Sequence, residues 1–232
     1  MAESGYKQFC PVAMAAEILC SRWTIILLRE MTAGSSRFND LRRGLPRMSP
    51  ALLSKRLREL EVAGLVQRVA RGGKNDIQEY LLTQAGRDLE SLIEAFGNWG
   101  QKWVETDATL RKLDPALLMW DMRRNIQTDP MPRGKSNILF TYAELPVAQR
   151  KWWLLVEPGT EVDLCSIEPG FDVDLYVNTD LETMTSIWLG YQTVAKAKKE
   201  GRIKMTGSRE LESAMHQWLG LSPFAKVSKI VA

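Results

Sequence analysis

The run Ser49-Pro50-Ala51-Leu52-Leu53-Ser54-Lys55-Arg56-Leu57-Arg58-Glu59-Leu60 constrains this chain more than any other segment. Ser49 offers a hydroxyl to the unpaired N–H groups of a first helical turn. Pro50 follows at the position where a fixed φ and a missing N–H do no harm. Leu53, Leu57 and Leu60 recur at i, i+4 and i+7, so a helix here buries one narrow stripe. The opposite side presents Ser54, Lys55 and Arg58, with Ala51 one turn before Lys55. Gly64 then closes the helix. Such a helix rests its leucines on a core and turns small and basic residues outward.

Its neighbours extend the pattern. Residues 10–19 form a short apolar helix, and residues 23–31 a second one that stops at Gly34. Ser36 is the expected cap of a third helix over 37–43, which ends at Gly44 and Pro46. A short helix, a tight turn and the Ser49 helix make a helix-turn-helix, whose second helix fits a major groove about 12 Å wide. Residues 65–69 and 77–82 are β-like runs around Gly72-Gly73, which read as a hairpin. Arg71 and Lys74 on its tip are placed to reach phosphate or a minor groove. A helix-turn-helix followed by a basic-tipped hairpin is a winged helix.

Charge agrees with that order. The net charge of the whole chain is only +3, yet residues 22–74 hold twelve basic residues against four acidic ones, a local +8. That is the footprint of a polyanion-binding surface, although a solvated basic face has the same composition. Residues 83–112 show a long helical pattern with Leu89, Leu92, Ile93, Phe96, Trp99 and Trp103 on one stripe. Gly97 and Gly100 within it each cost about 1 kcal/mol relative to Ala, which suggests close packing against another helix. The aromatic stripe either pairs with its copy in a dimer or folds back on its own domain.

Composition shifts near Leu113-Asp114-Pro115, so the expected domains are 1–112 and 113–232. Asp114 caps a helix to about residue 126. Strands follow at 136–143, 151–157, 161–167 and 172–178, with Pro158-Gly159 and Pro169-Gly170 as turns, giving an antiparallel meander. Asp180 caps a further helix carrying Met184, Ile187, Trp188 and Tyr191. A final strand at 202–207 and a helix at 210–219 complete an α+β domain, a mainly antiparallel sheet covered by helices.

Residues 8–105 resemble the HxlR family of winged-helix regulators. The resemblance rests on Cys10-Pro11, Arg22-Trp23, Phe38-Asn39-Asp40-Leu41, the Ser49–Leu60 run, Gly64-Leu65-Val66 and Glu79-Tyr80-Leu81-Leu82-Thr83-Gln84-Ala85-Gly86, in order and at family spacing. The family commonly has Gly-Lys-Trp where this chain has Ser21-Arg22-Trp23; the charge is kept. The resemblance implies a homodimer on an inverted repeat of double-stranded DNA. It places Ser49, Ala51, Ser54, Lys55 and Arg58 against bases, and Arg37, Arg71 and Lys74 against phosphates. Some members sense oxidants through a cysteine at the position of Cys10, and a thiol near a helix N-terminus can have a lowered pKa, although the same residue occurs in members not known to sense anything and can simply pack there.

Residues 115–222 resemble the sterol carrier protein 2-like domain. The matching features are the Val173-Asp174-Leu175 strand, Trp188-Leu189-Gly190, Gly201 through Gly207, and Met215-His216-Gln217-Trp218-Leu219. That resemblance implies an apolar tunnel for a lipid-like effector, lined by Met184, Ile187, Trp188 and Tyr191, although residues at such spacing also form plain core.

The expected function is transcriptional regulation, modulated by such an effector. The alternative is lipid binding or carriage with the first domain used for association, which would leave the basic block without a purpose. The chain has one His, no Gly-rich phosphate loop, no HExxH and no GxSxG, so neither an enzyme nor a metal or cofactor site is expected. Three cysteines without ligand spacing, no apolar signal core in residues 1–8 and no run of about 18 apolar residues give the expectation of a cytoplasmic chain with no membrane span.

Overall fold

Cap residues set the helix starts in the computed structural model, which describes residues 5–71 and 77–231. The chain divides into two units, Met1–Gly97 and Asn98–Ala232. The division falls inside a helix rather than near Leu113, where composition shifts.

The first unit contains α1 (Pro11–Leu19), α2 (Thr24–Thr32), α3 (Phe38–Gly44) and α4 (Pro50–Val62). Strands β1 (Val66–Arg71) and β2 (Ile77–Leu82) follow, then α5 (Gln84–Arg87) and α6 (Glu90–Trp103). Ser49 caps α4 as expected, its Oγ accepting from the Leu52 N–H at 3.3 Å. Gly64 sits at φ +73°, a left-handed conformation that ends α4 and that a side chain would resist. Leu53, Leu57 and Leu60 are fully buried with Leu27, Leu28 and Leu41 in one core.

Ser36 does not cap α3. The N-cap is Arg37, without a side-chain bond, because the Ser36 carbonyl is taken by the Tyr80 N–H at 2.8 Å and Arg37 bridges Glu79. The chain entering α3 thus makes one isolated antiparallel bridge to the hairpin.

The long helix expected over 83–112 is three: α5, α6 and α7 (Thr106–Leu110). At the first break Thr83 caps α5, and Gly86 lies so close to the Leu65 carbonyl that a Cβ would come within 2.2 Å of its oxygen. At the second, the Val104 carbonyl accepts from Lys229 Nζ at 2.5 Å instead of continuing a helical ladder. Gly100 meets nothing within 4 Å among the described residues, so it marks no close helix contact among them.

The second unit continues with α8 (Pro115–Asn125), capped by Asp114. Strands β3 (Ser136–Tyr142), β4 (Lys151–Val156), β5 (Asp163–Cys165) and β6 (Leu175–Thr179) follow. Next come α9 (Leu181–Trp188), α10 (Val194–Lys199), β7 (Ile203–Gly207), α11 (Arg209–Ser213) and α12 (Met215–Trp218). The sheet order is β5-β4-β3-β6-β7. The expected meander therefore holds only through β5: β6 returns to lie parallel to β3, while the other pairs are antiparallel. The turn at Pro169-Gly170 is part of a longer crossing, not a hairpin.

Ile138, Phe140 and Tyr142 of β3, Trp152, Leu154 and Val156 of β4, and Leu175 and Val177 of β6 share one parity and hence one face. They are buried with Met119, Met122, Met184, Ile187, Met215 and Trp218 from the helices, so helices cover that face of the sheet. Among the described residues no single helix is long and apolar enough to cross a membrane; α1 and α2 would pass only as a pair bent by 82°.

Candidate nucleic-acid interface

Helix α4 keeps its leucines in the core and so fixes what faces outward. Ala51, Lys55 and Arg58 are exposed and Ser54 is half-buried. The Ser49 hydroxyl oxygen is engaged by the Leu52 N–H, which leaves its proton to be donated elsewhere. Lys55 lies 3.9 Å from Glu59, an exposed pair too weak to hold it back from a phosphate or base edge. Arg56 has the opposite fate: its Nε donates to the Arg22 carbonyl at 3.1 Å and its NH1 pairs with Glu59, which ties the flank of α4 to the start of α2. These five outward positions run along one face from the N-terminus of α4, the part of a recognition helix that meets base edges.

The hairpin pairs Val66 with Leu82 through Arg71 with Ile77. Midway along it, opposite Val69, the Glu79 carboxylate is buried between two arginines. Arg37 Nε lies 3.4 Å from its Oε1 and Arg71 Nε 2.8 Å from its Oε2, while both guanidiniums remain more than half exposed. Two residues separately expected at phosphates are thus brought to one carboxylate. Lys74 lies outside the described residues.

Sequence reasoning passed over Glu79. It sits on the strand face opposite Tyr80 and Leu82, which pack on the core, so alternation alone puts it in water. The arginines on both sides of it in the fold, not in the chain, are what bury it. Arg42 also stands exposed on α3 and Arg47 on the link to α4, enlarging the basic surface.

Cys10 is the exposed N-cap of α1, and the backbone N–H groups of Ala13 and then Val12 hold its thiol below the usual range. In the second unit Met184, Ile187 and Trp188 lie in the core, with exposures of 0%, 1% and 6%. Tyr191 lies beyond α9 and lines a cleft of about 430 Å³ with Gln101, Thr106, Gly190 and Lys229.

The HxlR-like helix-turn-helix family matches residues 18–108. The HTH-type transcriptional regulator YybR of Bacillus subtilis is 36% identical over 95 residues, 41% of this chain and 76% of that protein. YvaP of the same organism is 32% identical over 100 residues, 43% of this chain and 93% of that one. Rv3095 of Mycobacterium tuberculosis is 41% identical over 95 residues, 40% and 58% of the two chains. All three bear the name of HTH-type transcriptional regulators, and the match spans the winged helix-turn-helix just described. With a relative covered over nine tenths of its length, this chain belongs to the HxlR-like helix-turn-helix family of DNA-binding regulators.

Proposed function

We propose that this regulator works as a homodimer on an inverted repeat. Ser49, Ala51, Ser54, Lys55 and Arg58 of α4 meet base edges in the major groove, and Arg37, Arg71 and Lys74 meet phosphates. The observation that carries the reading is the polarity of α4: a fully buried leucine stripe backs an exposed face of small and basic residues. Support for the homodimer comes from α6 and α1. Phe96 and Trp99 are 53% and 63% exposed, Leu92 and Trp103 are also exposed, and Phe9, Val12, Met14 and Ile18 add apolar surface. Apolar surface on that scale marks a protein interface.

The second unit is read as the regulatory module, related to the sterol carrier protein 2-like domain. A five-stranded sheet with helices on one face supports that relation. An effector there changes DNA binding only if it prefers one of two arrangements of the dimer. Because Met184, Ile187 and Trp188 are fully packed, an apolar effector must open the core, and Tyr191 is the residue of the four that meets a cleft. The same packing disfavours lipid carriage as the main activity. Cys10, the exposed N-cap residue of α1, is the position at which an oxidant response would be sought.

The test is the mass of the complex with a selected duplex, by sedimentation. Two protomers on one site with a twofold footprint fit the reading; a single protomer per site overturns the homodimer.

A further inference from the structure

The reading above treats Arg37 and Arg71 as independent phosphate contacts. The first opens α3 and the second ends β1, so chain connectivity alone gives them no common position. The ion-pair geometry does. Arg37 donates its Nε to one oxygen of Glu79 and Arg71 Nε forms an ion pair with the other at 2.8 Å; that carboxylate side chain is only 6% exposed against 54% for Arg37 and 71% for Arg71. A guanidinium is a rigid fork with five N–H donors, so the Nε bond of Arg37 orients its plane and the short ion pair restrains Arg71, while the terminal nitrogens of both stay available. Glu79 is itself immobilised, because β2 pairs with β1 and residue 79 bridges residue 37 through the backbone. The Tyr80 N–H to the Ser36 carbonyl locks the same junction.

We propose that Glu79 is a positioning residue: it holds Arg37 by a hydrogen-bonded ion pair and Arg71 by a second ion pair, and presents their terminal amino groups together as one clamp for backbone phosphate of duplex DNA. The inference rests on the DNA-binding reading and adds a role for a carboxylate at a surface that must attract an anion. A negative charge beside phosphates lowers affinity by Coulomb repulsion. The clamp raises it by fixing two cations that would otherwise lose side-chain entropy on binding. The two effects have opposite signs.

The experiment measures binding to a fixed duplex across a salt series for the full chain. The variants are Glu79→Gln, Arg37→Lys/Arg71→Lys, and Arg37→Ala/Arg71→Ala with and without Glu79→Gln. Loss of one phosphate contact flattens the slope of log K against log salt by about 0.9. The clamp predicts a flatter slope and weaker binding for Glu79→Gln, although that variant is one charge more positive. It predicts no further weakening when Glu79→Gln is added to Arg37→Ala/Arg71→Ala. Arg37→Lys/Arg71→Lys keeps every charge and keeps Glu79 partnered, so it serves even if Glu79→Gln fails to fold. An ammonium cannot bond Glu79 from its stem and phosphate from its tip, so a flatter slope and weaker binding are expected there too. Tighter binding by folded Glu79→Gln, or wild-type binding by the double lysine variant, overturns the clamp while leaving the DNA-binding reading intact. Absence of any salt-dependent binding by the wild type overturns both.

Discussion

The Glu30 carboxylate fills the space that a side chain at Gly44 would need: a Cβ there would come within 1.9 Å of its carboxyl carbon. Glu30 has no exposed surface and is held by the Ser35 hydroxyl at 2.6 Å and by Arg29 at 3.3 Å. The end of α3 can therefore approach α2 only because residue 44 has no side chain, and that approach seats the first helix of the helix-turn-helix on α2. Gly44→Ala forces a buried, hydrogen-bonded carboxylate to move, and is expected to destabilise the protein by about 2–3 kcal/mol, the upper part of the range for overpacking. Urea unfolding checks it; an effect near zero would mean that Glu30 relocates freely.

Ser49 has two duties that substitution separates. Ser49→Ala removes the cap of α4 and should cost about 1 kcal/mol of stability. Ser49→Asp retains an acceptor for the Leu52 N–H and places a negative charge at the DNA-facing end of the helix. It should therefore melt like the wild type and bind DNA far more weakly. Equal DNA affinity for the two variants would remove Ser49 from the interface.

The exposed face of α6 predicts a dimer variant. Trp99→Glu alters a side chain that is 63% exposed, so its stability effect as a monomer should stay within about 0.5 kcal/mol. Sedimentation should nevertheless show a shift from dimer to monomer, with loss of affinity for the inverted repeat. A wild-type sedimentation profile would place the dimer contact elsewhere.

Near the C-terminus, Lys229 caps α6 from a distance. Its ammonium donates to the carbonyls of Val104 and Gln101 at 2.5 and 3.4 Å, and lies 4.7 Å from the Tyr191 ring centroid. A cation on the last carbonyls of a helix stabilises it by about 0.3–1 kcal/mol, more when partly buried. Lys229→Met should cost about 1 kcal/mol by this mechanism and speed amide exchange in the segment around Ile230, whose N–H donates to the Lys102 carbonyl. Unchanged exchange there would show that the cap adds nothing.

How much could be read beforehand depended on whether the controlling contact was local. The α4 stripe, the Ser49, Asp114 and Asp180 caps and the Gly64 stop are all set within a turn or two of chain, and each was legible. The pairing of β6 with β3 was not, because parallel pairing is decided by which strand edges remain after the hairpins form. The breaks on either side of α6 depend on the Leu65 carbonyl against Gly86 and on Lys229 against Val104, partners remote in sequence. Ser36 carries a good capping side chain, yet Tyr80 takes its carbonyl and draws the segment against the hairpin. The same non-locality hid Glu79, whose partners come from α3 and β1. Met184, Ile187 and Trp188 fall on one stripe, and a stripe does not distinguish a packed core from a ligand tunnel.

Whether the outward face of α4 reads sequence is decided by selection from a randomised duplex library, using the wild-type chain and Lys55→Ala/Arg58→Ala. The wild type should enrich one inverted repeat, with half-sites about one helical turn apart, and the variant should retain salt-dependent binding but lose the enrichment. Enrichment of the same repeat by the variant, or of no repeat by the wild type, would contradict a sequence-reading role for that face.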